Sequence, residues 1–67
     1  MEDRIWYAVL TDYEDNDWGI GSYDLEEAKQ KVINNLDIYP NGLIAAIDVD
    51  VCVGEYRYED GEFVFYR

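Results

Sequence analysis

Carboxylates are the residues of this chain with the greatest capacity for chemistry. Asp and Glu number sixteen against five Lys and Arg, and the formal net charge is −11 over 67 residues. Carboxylates can transfer protons, bind divalent cations or attract cationic surfaces. The chain contains no His. Because His is the commonest general base and a frequent transition-metal ligand, its absence removes two routes to catalysis.

The two candidate nucleophiles lack an activating neighbour in sequence. Cys52 has no cationic residue beside it, so we expect a buried and inert thiol. Ser22 precedes a predicted helix, where its hydroxyl would act as a local hydrogen-bonding group. The sequence therefore predicts a protein that is not an enzyme and that needs no cofactor.

A carboxylate metal site is kept as an alternative. Asp48 and Asp50 lie two apart in a predicted strand, so they would share a face and hold a divalent cation or ligand between them. The competing interpretation is a solvated strand face whose charges block edge-to-edge pairing. The acidic segment 12–17 does not match the calcium-loop spacing of acids, Gly and Glu. We assign no metal ligand.

Phosphate and nucleic acid are poor ligands for this chain. Gly19 and Gly21 precede a helix, an arrangement that can cradle phosphate. Asp24, Glu26 and Glu27 place negative charge at that helix terminus, which repels phosphate. Phosphate backbones also require clustered Lys and Arg, which the chain lacks. The same negative field disfavours anionic membranes.

The elements that must position these residues form a single small domain, residues 1–67. Hydrophobic residues make up 49% and aromatic residues 16%, which indicates a folded chain. We find no apolar run long enough to span a membrane and no signal-peptide pattern. The single cysteine cannot form an internal disulfide, so the cytoplasm is the expected compartment.

Local patterns predict one helix and five strands. The helix begins after Asp24, an N-cap with Glu27 three residues later in a capping-box pattern. Asn34 and Asn35 weaken its end, and the turn at residues 39–42 stops it. Its apolar stripe comprises Leu25, Ala28, Val32, Ile33 and Leu36. The strands are residues 4–11, 18–22, 43–53, 55–58 and 62–66, with a bulge or bend at Gly54 and a hairpin turn at Asp60-Gly61.

These elements follow one another as β-β-α-β-β-β. They predict an α+β fold in which one helix covers one face of a mostly antiparallel sheet of four to five strands. The expected strand order is 2-1-3-4-5, because the helix can return the chain to lie beside the first strand.

Two acidic stretches interrupted by aromatic residues are the candidate binding surfaces. Carboxylates on a rigid scaffold can imitate a row of phosphates, and Tyr and Trp often anchor protein interfaces. The first stretch comprises Asp12, Tyr13, Glu14, Asp15, Asp17, Trp18, Tyr23, Asp24, Glu26 and Glu27. The second comprises Asp48, Asp50, Glu55, Tyr56, Tyr58, Glu59 and Asp60.

Our leading hypothesis is a non-enzymatic module that binds a basic protein surface. The most specific version of this hypothesis is a nucleic-acid mimic that inhibits a nucleic-acid-handling protein. Two alternatives remain beside the metal or ligand site. The charge can serve solubility alone, or the C-terminal aromatic residues Phe63, Phe65 and Tyr66 can form a homodimer or larger homo-oligomer.

One part of the chain carries a resemblance. Residues 5–32, especially the segments WYAVL, DWGIGSYD and LEEA, resemble small acidic proteins of gut Firmicutes and of their phages and mobile elements. That group has no assigned chemistry to transfer to named residues. In charge and size the chain is also similar to anti-CRISPR and anti-restriction DNA mimics, and this implies a phage or mobile-element accessory role.

Overall fold

The order of elements follows the predicted pattern. The computed structural model describes residues 4–12, 14 and 17–67. The elements are β1 (Ile5–Leu10), β2 (Gly21–Ser22), α1 (Leu25–Ile33), β3 (Leu43–Asp48), β4 (Val51–Glu59) and β5 (Glu62–Tyr66). All neighbouring strands pair antiparallel in the order β2-β1-β3-β4-β5, and α1 packs on one face. The predicted α+β class, element order and strand order are confirmed.

Side chains satisfy the first amides of α1. The Asp24 side chain accepts a hydrogen bond from the Glu26 N–H at 3.0 Å. The N–H of Asp24 itself donates to Ser22 Oγ at 3.0 Å. Ser22 therefore takes the place that Glu27 would have in a capping box. Its hydroxyl has the local hydrogen-bonding role that the sequence predicts.

The helix ends earlier than its apolar spacing predicts. Asn34 is the C-cap, and the Asn35 side chain donates to the backbone carbonyl of Lys31 at 2.9 Å. Leu36 lies in the turn that follows α1 and is exposed, so it is not part of the helical stripe. Ile33 is also exposed, whereas Tyr39 beyond the helix is buried in the core.

Two apolar layers lie on opposite faces of the sheet, because successive strand residues point to opposite sides. The layer under α1 contains Val9, Ala28, Val32, Tyr39 and Ile44, with Tyr7, Leu25, Tyr56 and Phe63 packed against it. The second layer contains Ala8, Ala45 and Ile47, with Trp6, Leu10 and Trp18 packed against it. Burial, and secondarily the nearby Tyr56 phenol, raise the pKa of Tyr7 above its ordinary value.

A tight turn divides the apolar run 43–53 into two strands, so the prediction of one continuous strand is wrong. Val49 and Asp50 have positive φ angles of 47° and 69°. Positive φ at both central residues is what a type I′ hairpin turn requires. Val-Asp is a much weaker signal for this turn than Asn-Gly, and apolar residues continue on both sides of it.

Cys52 follows this turn and is exposed, which contradicts the prediction of a buried thiol. The first three residues of β4 are all exposed, and neither apolar layer contains a residue of the segment 49–53. Ala46 pairs with Gly54 while Ile47 pairs with Cys52, so the register shifts by one residue. This irregularity beside Gly54 is the bulge that the sequence predicts.

Within residues 4–12, 14 and 17–67, no helix combines the length and apolar character needed to cross a bilayer.

Candidate functional site

The loop before β2 displays carboxylates that are held by their own backbone. Asp12 Oδ1 accepts a hydrogen bond from the Glu14 N–H at 2.9 Å, and Asp17 Oδ1 accepts from the Gly19 N–H at 2.9 Å. Asp12, Glu14 and Asp17 are all exposed. Such local bonds are typical of Asp in turns, and each fixes one oxygen of its carboxylate. Tyr13 and Asp15, also predicted here, lie outside the described residues.

The N-cap and first turn of α1 carry further exposed carboxylates. Tyr23 and the N-cap Asp24 are exposed just before α1. Glu26 and Glu27 in its first turn are exposed, as the solvent side of an amphipathic helix requires. Glu26 forms a loose ion pair with Lys29 across one turn, with Oε2 and Nζ 3.3 Å apart. We call the exposed carboxylates of both segments the acidic surface: Asp12, Glu14, Asp17, Asp24, Glu26 and Glu27.

The second predicted stretch is partly neutralised within the chain. Arg4 Nε lies 2.7 Å from Asp48 Oδ1, and Arg57 Nε lies 2.6 Å from Glu55 Oε2. The carboxylate of Glu59 accepts from the Tyr66 hydroxyl at 2.8 and 2.9 Å to its two oxygens. Asp50 and Asp60 are exposed in hairpin turns.

Strand alternation separates the aromatic residues of this stretch from its charges. Tyr56 lies 4.9 Å from Phe65 between ring centroids, and Tyr58 lies 5.0 Å from Phe63. Both tyrosines are half-buried, and they alternate along β4 with Glu55, Arg57 and Glu59. Residues that alternate along a strand point to opposite faces. The second stretch therefore does not form one continuous surface.

The geometry proposed for a metal at Asp48 and Asp50 is wrong. Asp48 ends β3 and pairs with Arg4, whereas Asp50 lies in the turn with a positive φ. The two residues therefore do not share a strand face. In residues 4–12, 14 and 17–67 there is no group of three or more Cys, Asp or Glu side chains that could hold a metal ion.

A cavity with aromatic walls lies on the face of the sheet opposite α1. Its lining includes the sequence neighbours of two carboxylates of the acidic surface, Asp17 and Asp24. Its volume is about 530 Å³. We call it the aromatic cavity, and it is lined by Arg4, Trp6, Trp18, Tyr23, Ile47, Val49 and Asp50.

Contacts between the walls fix the shape of the aromatic cavity. Trp6 Nε1 donates a hydrogen bond to the Trp18 carbonyl oxygen at 2.7 Å, which joins β1 to the loop. The Tyr23 ring meets the Trp6 ring edge to face, with centroids 4.9 Å apart and planes at 74°. Ile47 is buried, and Trp6 and Trp18 pack against its cluster. Edge-to-face pairs of this kind are favourable beyond their buried area, so the rings are preorganised.

Sequence reasoning found only part of this cavity. Trp18, Tyr23 and Asp50 are among the predicted binding residues, and they lie together at one site. Arg4, Trp6, Ile47 and Val49 were missed, because their contacts depend on the pairing of distant strands. One signal in the sequence could have identified Trp6. It alternates along the first strand with residues of the helix-side core, so it lies on the face of the sheet opposite the helix.

Comparison with known proteins does not assign this site. Neither the protein-family models, nor the curated proteins, nor the solved structures give a significant match to the chain.

Proposed function

We propose that this protein is a non-enzymatic binding module whose acidic surface engages a basic protein surface. The observation that carries the proposal is an excess of carboxylates that the chain cannot neutralise. The chain has sixteen acidic residues and five basic ones, so eleven carboxylates stay without a cation from the chain even if every cation pairs with one carboxylate. Arg4, Lys29 and Arg57 already pair internally. Among the described residues, no charged side chain is buried.

The concentration of carboxylates in one segment of the chain supports a localised binding surface rather than a charge spread evenly over the molecule. No Lys or Arg lies between residues 12 and 27, so this segment is strongly negative even though Glu26 pairs with Lys29. Salt screens charges over about 8 Å at physiological ionic strength, so the field acts mainly at close approach. Trp18 and Tyr23 adjoin Asp17 and Asp24 in sequence and supply the aromatic anchors common in interfaces.

The form of this function that we favour is nucleic-acid mimicry. A protein that binds phosphate backbones presents clustered Arg and Lys, and a row of fixed carboxylates competes for the same groups. The resemblance to products of phages and mobile elements favours an inhibitor of a nucleic-acid-handling protein. A cytoplasmic location stays a prediction that fits such a target.

The test is capture of a target from a bacterial lysate at low and high salt, about 50 mM and about 500 mM NaCl. We expect a basic target that is bound at low salt and released at high salt. A triple variant of the acidic surface, Asp12→Asn, Glu14→Gln and Asp17→Asn, should lose the target. The Asn side chains retain the oxygen that accepts the local backbone bonds.

The matched control changes the same number of charges elsewhere. Glu59→Gln, Asp60→Asn and Glu62→Gln lie around the β4–β5 turn and are all exposed. This variant should retain the target. Equal capture at both salt concentrations, or equal loss in both triple variants, would contradict the proposal.

A homodimer is the second candidate function, and the outer strand β5 favours it. Phe65 is 48% exposed, and residues 63–66 carry no charge. An edge strand with few charges is a ready template for pairing with another chain. Light scattering at high salt, where mutual repulsion is screened, should detect a dimer as concentration rises. A monomer at every concentration ends this alternative.

A further inference from the structure

We propose that the aromatic cavity binds the side chain of an arginine residue presented by a partner protein. The inference rests on the proposed function, because it names the chemical group on the partner's basic surface that this chain binds. It goes beyond that function in assigning a defined pocket, with walls, a floor and a charged rim, to a single chemical group.

The walls have the electronic character that attracts organic cations. The faces of Trp and Tyr rings are electron-rich, and a cation within about 6 Å of the ring centroid is stabilised. Trp6, Trp18 and Tyr23 all border the same space. The chain already uses this interaction elsewhere, since the Arg57 guanidinium carbon lies 4.2 Å from the Tyr66 ring centroid.

The rim of the cavity is suited to a guanidinium. Asp50 is an exposed carboxylate on the rim, and it can accept hydrogen bonds from a planar, multi-donor group. Arg4 also lies on the rim, but Asp48 offsets its charge at 2.7 Å. A guanidinium is weakly hydrated and stacks on aromatic faces, whereas a lysine ammonium is compact and strongly hydrated. A quaternary ammonium would leave Asp50 without a donor.

The remaining lining residues match the alkyl part of the arginine side chain. Ile47 is buried at the floor, and Val49 is 72% exposed at the edge. Arg side chains bury their methylene stems on apolar surface while the head group binds polar partners. The volume of about 530 Å³ also leaves room for a side chain that enters from a neighbouring protein.

The chain contains its own reporter of occupancy. Its two tryptophans are Trp6 and Trp18, and both line the cavity. We would titrate the protein with a blocked glycine peptide that carries one arginine, and follow tryptophan fluorescence at low salt. The comparison peptides carry citrulline, which has the shape without the charge, or trimethyllysine, which has a charge without donors.

We expect a saturable change with the arginine peptide, a weaker one with trimethyllysine and none with citrulline. An equal response to citrulline would show that charge is irrelevant and would overturn the proposal. Tighter binding of trimethyllysine would also overturn it, in favour of a quaternary ammonium site. The absence of any saturable response would do the same.

Two turn residues provide a matched pair of variants. Asp50 and Asp60 are exposed, both have positive φ angles, 69° and 51°, and each lies in a two-residue hairpin turn. Asn tolerates this backbone conformation, so Asp50→Asn and Asp60→Asn change charge by the same amount with little strain. Asp50→Asn should weaken the arginine peptide by about two- to fivefold. Asp60→Asn, at the far end of β4, should leave its affinity unchanged, and equal effects would contradict the assignment.

A variant of Arg4 tests whether the cavity prefers a cationic or an anionic ligand. Arg4→Met removes a like charge from the rim and releases Asp48, so the arginine peptide should bind more tightly, by about two- to fivefold. A cavity built for an anionic aromatic ligand would respond in the opposite direction. Weaker binding of the arginine peptide to Arg4→Met would overturn the proposal.

The two proposals can fail separately. If the cavity inference is wrong but the proposed function is right, Asp50→Asn still captures the lysate target in a salt-dependent way and the peptide shows no saturable binding. If the proposed function is wrong, no salt-sensitive basic target is captured. The triple variant of the acidic surface leaves every lining residue in place, so it should lose the lysate target and still bind the arginine peptide.

Discussion

Val49 has a backbone conformation that its β-branched side chain disfavours. It is β-branched, it has a positive φ of 47°, and it is 72% exposed at the rim of the aromatic cavity. A β-branched residue is strained in this region, at a cost of about 1–3 kcal/mol. We predict that Val49→Asn raises the free energy of unfolding by about 1 kcal/mol, measured by urea denaturation and far-ultraviolet circular dichroism.

Val51, two residues later, provides the control for this prediction. It is also exposed, but it lies in β4 and does not have a positive φ. Val51→Asn makes the same exchange of side chains without relieving any strain, and Asn is unfavourable in strands, so stability should not rise. If Val49→Asn is no more stable than the original protein, the backbone at this turn is not strained.

Contacts between individual residues could be predicted from sequence only when they are local. The roles of Asp24 and Ser22 follow from their positions at a helix start, because their hydrogen bonds span two residues. The pair of Arg4 and Asp48 spans 44 residues, and it exists because Ile5 is in register with Asp48. Nothing in the local pattern indicates such a register, so this pair and the cavity beside it were missed.

The β4–β5 hairpin depends on the absence of a side chain at one position. A Cβ built on Gly54 would lie 2.7 Å from Phe65 Cε1 and closer still to Cζ, so the ring covers this glycine. We predict that Gly54→Ala displaces Phe65 and lowers the free energy of unfolding by about 1–3 kcal/mol. Chemical denaturation measures the loss, and the Phe65 ring signals in NMR report the displacement.

Gly61 separates this steric effect from a backbone effect. A Cβ at Gly61 would meet nothing within 4 Å, but its φ is +85°. Gly61→Ala should therefore cost about 1 kcal/mol through backbone strain alone and leave the Phe65 signals unchanged. Unchanged Phe65 signals in Gly54→Ala would contradict the packing described for this hairpin.

At the scale of elements, the clarity of each boundary signal decides what the sequence can predict. Asp60-Gly61 and Val49-Asp50 are both two-residue turns with positive φ at both positions. The first contains Gly and could be predicted, whereas the second lies inside an apolar run and could not. The start of α1 was similarly clear. Its end was not, because Leu36 continues the helical spacing after the helix has stopped.

At the scale of the whole molecule, the charge proposed for binding opposes folding. A net charge of −11 lies on a fold with a radius of gyration of 10.8 Å, so like charges repel over short distances. A domain of this size has only a few kcal/mol of stability, roughly 3 to 5. The sequence could predict the size of this charge. It could not predict that Asp48 and Glu55 are paired while the acidic surface remains exposed.

This repulsion predicts an unusual response to salt. Raising NaCl from about 0.01 M to about 0.5 M shortens the screening length from about 30 Å to under 5 Å, so the melting temperature should rise by several degrees. Differential scanning calorimetry measures the shift. The variant Glu59→Gln, Asp60→Asn, Glu62→Gln carries three fewer negative charges, so its melting temperature should depend less on NaCl. MgCl₂ at equal ionic strength separates screening from ion binding. A rise in melting temperature much larger in MgCl₂ than in NaCl would indicate a carboxylate metal site. A melting temperature that falls as NaCl is added would show that self-repulsion does not limit stability.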